Sequence, residues 1–169
     1  MTVLGAIIGG GKSRRFGSDK AAALVDGVPL IDHVHAALRP QTADIVICGR
    51  EWRAWTSLPD MPQPDLGPLG GLNAALAHAK AHGFDAVLTV PVDTMPLPAD
   101  LCARLDPGPS FIADQWLIGL WPVTLASALN RHIKAGHRSV RSWIDASGAR
   151  AVDGNGLGLR NVNRKSDLR

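Results

Sequence analysis

Apolar runs alternate along this chain with longer stretches whose apolar residues recur at helical spacing. Residues 3–8 are apolar throughout and read as a buried strand. The segment 30–38 places Leu30, Ile31, Val34, Ala37 and Leu38 on one face and predicts an amphipathic helix. Residues 44–48 predict a second strand, 71–82 an alanine-rich helix stopped near Gly83, and 86–90 a third strand. A short helix is expected over 98–105, with Pro98 in its first turn. Beyond Pro107-Gly108-Pro109 the pattern shortens: strands over 110–113 and 117–121, helices over 123–134 and 140–145, strands over 149–152 and 158–162. Strands alternating with helices predict an α/β fold, a parallel sheet covered by helices.

The chain has 169 residues, which fits one domain with a sizeable core. We read it as one domain in two parts, 1–100 and 101–169. The net charge of +3 is too small to point to nucleic acid. Much of the basic excess lies near the N-terminus and in the C-terminal third, which suits a small phosphate-bearing ligand. Cys48 and Cys102 have no metal-type spacing and suit a reduced, cytoplasmic protein. No apolar run is long enough to span a membrane, so no membrane partner is expected. His78 and His82 stand four apart but lack the glutamate of a zinc-hydrolase motif, and read as surface residues.

Three constellations carry chemistry. The first strand empties into Gly9-Gly10-Gly11, followed by Lys12, Arg14, Arg15, Gly17 and Lys20. Glycines let backbone N–H groups close around an anion, and the cations can neutralise a polyphosphate. The spacing matches neither G-x-x-x-x-G-K-[ST] nor a helix-opening G-x-G-x-x-G. The second constellation is Asp93, just past the third strand in Pro91-Val92-Asp93. Ligands of open α/β sheets sit beyond the carboxyl ends of the strands, where one Asp can hold Mg²⁺ or can cap the segment that follows. The third is Asp65-Leu66-Gly67-Pro68-Leu69-Gly70-Gly71, a carboxylate before a glycine-rich helix start. It lies in the stretch 58–68, whose four prolines predict a shaped loop at the site.

In this order the segments resemble the molybdenum cofactor guanylyltransferases, whose pattern runs L-A-G-G-x-S-x-R-M-G-x-D-K, D…G-P-L-x-G, C-D-x-P and a late N-x-N. Here these stand as residues 8–20, as Asp65 with Gly67-Pro68-Leu69-Gly70-Gly71, as residues 92–96, and as Asn161-Val162-Asn163. Gly9 replaces Ala, Phe16 replaces Met and Val92 replaces Cys; Met95 precedes Pro96, and Cys48 stands where the family can carry an Asn.

The resemblance implies a Rossmann-like nucleotidyltransferase fold, three layers α/β/α around a mostly parallel sheet. It implies transfer of GMP from GTP to the terminal phosphate of molybdopterin, with release of pyrophosphate. Arg15, Lys20 and Asp93 would be catalytic, with Mg²⁺ on Asp93. GTP would meet Ile8, Gly9, Gly10, Gly11, Lys20, Cys48, Asp65, Gly67, Gly70 and Asp93. Asn161 and Asn163, two apart on a strand, would face the pterin acceptor; a polar turn is the other reading of that segment. Contacts with molybdopterin-processing proteins or recipient molybdoenzymes are further expectations. The alternatives are a cytidylyltransferase, another small nucleotidyltransferase, or a non-catalytic nucleotide binder.

Overall fold

In the computed structural model, residues 1–9 and 19–162 are described. The run Val-Leu-Gly-Ala-Ile-Ile has no polar side chain on either face, so it must sit where both faces are covered. It forms β1 (Val3–Ile8), buried at every position. A tight hairpin follows, β2 (Leu24–Val25) and β3 (Val28–Pro29), leading into α1 (Leu30–Leu38). Next come β4 (Asp44–Cys48), the short β5 (Ser57–Leu58) and α2 (Pro68–Ala81). Then follow β6 (Ala86–Pro91), β7 (Thr94–Met95) and α3 (Leu101–Leu105). The last part contains β8 (Ser110–Ile112), β9 (Gln115–Pro122), α4 (Ala126–Lys134), α5 (Val140–Ser147), β10 (Arg150–Val152) and β11 (Arg160–Asn161).

Seven strands make one sheet in the order β10-β8-β9-β6-β1-β4-β5. Each pairing is parallel except those of β9 with β6 and with β8, so β9 alone runs against the rest. The period-two alternation of the strands divides the core in two. Val3, Ile7, Ile45, Ile47, Leu88 and Val90 meet α1 and α3 on one face. Leu4, Ala6, Ile8, Val46, Cys48 and Val87 meet α2, α4 and α5 on the other. This is the expected three-layer α/β/α arrangement with a mostly parallel sheet.

Several boundaries differ from the sequence expectation. Helix α2 begins at Pro68 rather than at 71, because proline suits the first helical position and Gly67 can take the cap conformation. The expected helix over 98–105 starts only at Leu101, so Pro98 lies before it. Residues 123–125 form a 3₁₀ turn before α4, and α5 runs on to Ser147. Strand β9 is longer than expected, while β11 has only two residues. The short strands β2, β3, β5 and β7 carry too few residues for periodicity to reveal.

The antiparallel strand is locked by a buried polar contact. Thr89 of β6 is fully buried; its hydroxyl donates to the Leu117 carbonyl at 2.8 Å and accepts from Trp121 Nε1 at 3.0 Å. Gly119 leaves room for that indole, since a Cβ there would lie 2.7 Å from the Trp121 ring and 2.8 Å from the Ser110 carbonyl. Replacing Thr89 by Val strands the indole N–H without an acceptor. We expect Thr89→Val to cost about 1–3 kcal/mol in chemical denaturation, with Thr89→Ser retaining most of the stability.

Candidate active site

The strands β4, β1 and β6 are parallel and in register, with Ile8 beside both Cys48 and Pro91. Their carboxyl ends therefore finish at one level. Gly9 N–H continues the pattern by donating to the Cys48 carbonyl at 3.0 Å, and Val92 N–H donates to Ile8 at 3.2 Å. The chain passes from β1 out to β4 on one side and returns to β6 on the other, which opens a crevice at the strand ends.

On the β4 side the crevice is a cleft of about 850 Å³, lined among others by Ile8, Arg50, Asp60, Pro64, Asp65 and Gly67. The proline-rich loop supplies one wall, as its composition suggested. Gly67 has φ 70° and ψ −159°, a conformation essentially confined to glycine. It starts α2 without a side-chain cap, so the first turn offers backbone donors to the cleft. Asp65 is exposed at the rim with φ 60°. Cys48 borders the floor, but its side chain is fully buried in the core, and burial pushes the thiol up to about 12. It is a neutral packing group there.

Two glycines singled out above serve packing. A Cβ on Gly71 would lie 3.1 Å from Cys48 Cβ and 3.3 Å from Ile8 Cδ1, so this glycine brings α2 close to the sheet. A Cβ on Gly70 would lie 2.9 Å from Asp60 Cγ and 2.7 Å from Leu66 Cβ. Gly70 thus makes room for a carboxylate that the motif reading missed. Asp60 accepts Leu66 N–H at 3.2 Å and is half-buried; desolvation raises its pKa, and the charge of Asp65 adds to this. The loop that carries it is tied to α2, where buried Asn73 donates to the Met61 carbonyl at 3.0 Å. The usable signal in the sequence was Gly70, the first glycine of the Gly70-Gly71 pair, at the position that the resembled G-P-L-x-G pattern leaves open.

On the β6 side stands a charged station. Lys20 opens a 3₁₀ turn capped by Asp19, and its Nζ lies 3.5 Å from Asp93 Oδ2. The structure thus brings together two of the three predicted catalytic residues, 73 positions apart in sequence. Asn161 arrives there as well: β11 pairs with β7, Thr94 Oγ1 donates to Asn161 Oδ1 at 2.7 Å, and Val162 N–H donates to the Asp93 carbonyl. Gly10, Gly11, Arg15 and Asn163 lie outside the described residues. Among the described residues no group of three or more His, Cys, Asp or Glu could hold a metal, and no helix is long and apolar enough to cross a membrane.

Residues 5–151 match the family model described as the MobA-like NTP transferase domain. The chain belongs to this family. It is 36% identical over 185 residues to a molybdenum cofactor guanylyltransferase of Cereibacter sphaeroides, covering 99% of this chain and 94% of the relative. The enzyme of the same name from Sinorhizobium fredii is also 36% identical, over 87% of this chain and 76% of its own length. Among solved structures, molybdopterin-guanine dinucleotide biosynthesis protein A of Archaeoglobus fulgidus superposes with a TM-score of 0.75. It is 20% identical, with 98% of this chain and 94% of that one covered, which supports the Rossmann-like nucleotidyltransferase fold. As a MobA-like NTP transferase, the chain is a nucleotidyltransferase.

The raised pKa of Asp60 has a testable sign. Its protonated form is favoured by the fold, so its contribution to stability is present at low pH and is lost as pH rises through the raised value. Asn keeps an acceptor for Leu66 N–H and carries no charge to desolvate. Asp60→Asn is therefore expected to leave thermal stability at neutral pH unchanged or slightly higher, and to flatten the loss of stability that the wild type shows as pH rises above the ordinary carboxylate range, as followed by calorimetry.

Proposed function

We propose that this chain transfers GMP from GTP to the terminal phosphate of molybdopterin and releases pyrophosphate. The observation that carries this reading is the arrangement around the end of β1. A cleft with a carboxylate wall lies on one side and the Lys20–Asp93 station on the other, in a member of the MobA-like family. The nucleoside lies in the cleft, where a carboxylate of Asp60 or Asp65 accepts from the N1–H and exocyclic amine of guanine. The triphosphate crosses Ile8 and Gly9 toward Lys20. The resemblance implies that the glycine loop after β1 would meet its oxygens and that Arg15 would neutralise the departing pyrophosphate.

The reaction needs no general base, because the acceptor phosphate is already an anion. One of its oxygens attacks the α-phosphorus, the bond from that phosphorus to the β-phosphate oxygen breaks, and pyrophosphate leaves with the electron pair. The protein contributes position and charge. Lys20 holds phosphate oxygens at the reacting centre, and Asn161 marks the acceptor side beside Asp93.

Asp93 fits Mg²⁺, since this ion takes one or two carboxylates and fills its remaining positions with phosphate oxygens and water. A solitary carboxylate beside a lysine, without a cage of further ligands among the described residues, suits an ion that arrives with the nucleotide. When bound there it would neutralise charge on the α-phosphate. Both cysteines are free, which suits a reducing, cytoplasmic setting.

A nucleotide panel with Mg²⁺ and purified molybdopterin tests the reaction through pyrophosphate release. Release with GTP is expected; release with CTP and none with GTP overturns the guanine assignment. Asp93→Asn and Lys20→Ala should each lower turnover by roughly 10²–10³ with little change in melting temperature. Activity within a few-fold of wild type in Asp93→Asn at limiting Mg²⁺ would remove this residue from the reaction.

A further inference from the structure

Arg50 follows β4 and forms a forked ion pair with Asp19, both nitrogen–oxygen distances being 2.7 Å. This pair joins the segment after β4 to the residue that caps the Lys20 turn, where Asp19 also accepts Ala21 N–H at 3.2 Å. Three further contacts hold Arg50 in place. Its guanidinium lies 5.2 Å from the centre of the Trp52 ring, and that indole is itself anchored, Nε1 donating to Asp32 at 3.0 Å. Its backbone carbonyl accepts from Ser57 Oγ. Its methylene stem crosses Gly9, where a Cβ would lie 2.9 Å from Arg50 Cδ and 3.2 Å from Cγ.

The last contact explains a departure noted in the sequence: glycine stands at position 9 where the resembled pattern has alanine. An alanine methyl would occupy the space of the Arg50 stem. Gly9, Arg50 and Asp19 thus form one packed unit. The Arg50 guanidinium holds the Asp19 carboxyl below its ordinary range, and Asp19 in turn raises Arg50, so each favours the charged form of the other.

We propose that Arg50 is a positioning residue for nucleotidyl transfer: through Asp19 it fixes the turn that presents Lys20 to the triphosphate and to Asp93. The proposal rests on the function proposed above. The ion pair spends the Arg50 charge on Asp19, so Arg50 acts on the phosphates through Lys20 and not as a ligand of its own. A forked pair fixes direction as well as distance, which a single contact does not.

The test uses Arg50→Gln, Asp19→Asn, their double variant, Gly9→Ala and Arg50→Lys. Asn still caps the turn, so Asp19→Asn removes the charge while keeping the cap. GTP affinity is read by calorimetry without acceptor, kcat and KM by pyrophosphate release, and folding by thermal melting. Arg50→Gln and Asp19→Asn should each weaken GTP binding and lower kcat/KM by about ten- to a hundredfold, the scale of a small misplacement in a site. The double variant should be no worse than either single one, since both break the same pair. Arg50→Lys should recover part of the loss, and Gly9→Ala should move in the same direction as Arg50→Gln and add nothing to it.

Tighter GTP binding in Asp19→Asn overturns the proposal, because it is what a phosphate-binding arginine released from its counter-ion would do. Losses that multiply in the double variant overturn it as well. So does a lower melting temperature with GTP affinity and kcat/KM unchanged, the mark of a purely structural pair. Failure of the proposed reaction appears separately, as wild-type protein that binds GTP and transfers nothing; the binding measurements on the variants still decide the role of Arg50.

Discussion

The whole site depends on the register of three parallel strands. Ile8 is level with Cys48 on one side and Pro91 on the other, and the backbone bonds from Gly9 and Val92 extend that alignment just past the strands. A parallel ladder fixes where each strand leaves the sheet, so Gly9, the Arg50 segment and Asp93 emerge beside one another. A slip of one residue in β1 would send Ile8 to the opposite face and move the loop by a residue's length. The buried side chains on both faces oppose such a slip, since each fits between helices of a particular layer.

Within that frame the two sides of the crevice are built differently. The β4 side is shaped by backbone, with a glycine-started helix, a proline-rich wall and one half-buried carboxylate held by a loop N–H. The β6 side is organised by charge, Lys20 against Asp93, with Asn161 brought in by a two-residue strand. A flat base suits the first and phosphates suit the second. Asp19 and Arg50 connect them, lying 31 residues apart in sequence and touching in space.

The sheet was legible in the sequence because its central strands are unbroken apolar runs bounded by turn residues, and Lys20 and Asp93 were legible because they belong to motifs. Other features depend on contacts that no local pattern contains. Asp60 is desolvated by a loop whose packing requires the absence of a side chain at Gly70, ten positions on. Cys48 stands where the resembled family can carry an Asn; it borders the cleft, while strand alternation turns its side chain into the α2 face of the core. The sequence pattern starts α2 three residues late because Gly-Pro usually reads as a turn, and here it is the cap and first residue of a helix. The strand expected over 158–162 is present as two residues, but its pairing with β7, which brings Asn161 to Thr94 next to Asp93, is written in neither segment.

The position of β1 also bears on how the chain reaches its fold during synthesis. Leu4 pairs with Asp44, and Val3 pairs with Ala86. This apolar strand thus precedes its partners, and its second neighbour emerges from the ribosome only some eighty residues after it. Until then it is a hydrophobic segment with open edges, the kind of segment that associates with other chains. The cations that follow it, Lys12, Arg14 and Arg15 within four positions, flank that hazard on its C-terminal side with like charge. Repulsion between such charges on nascent chains opposes association of β1 with its copies until its partners arrive, a use of these side chains that needs no ligand.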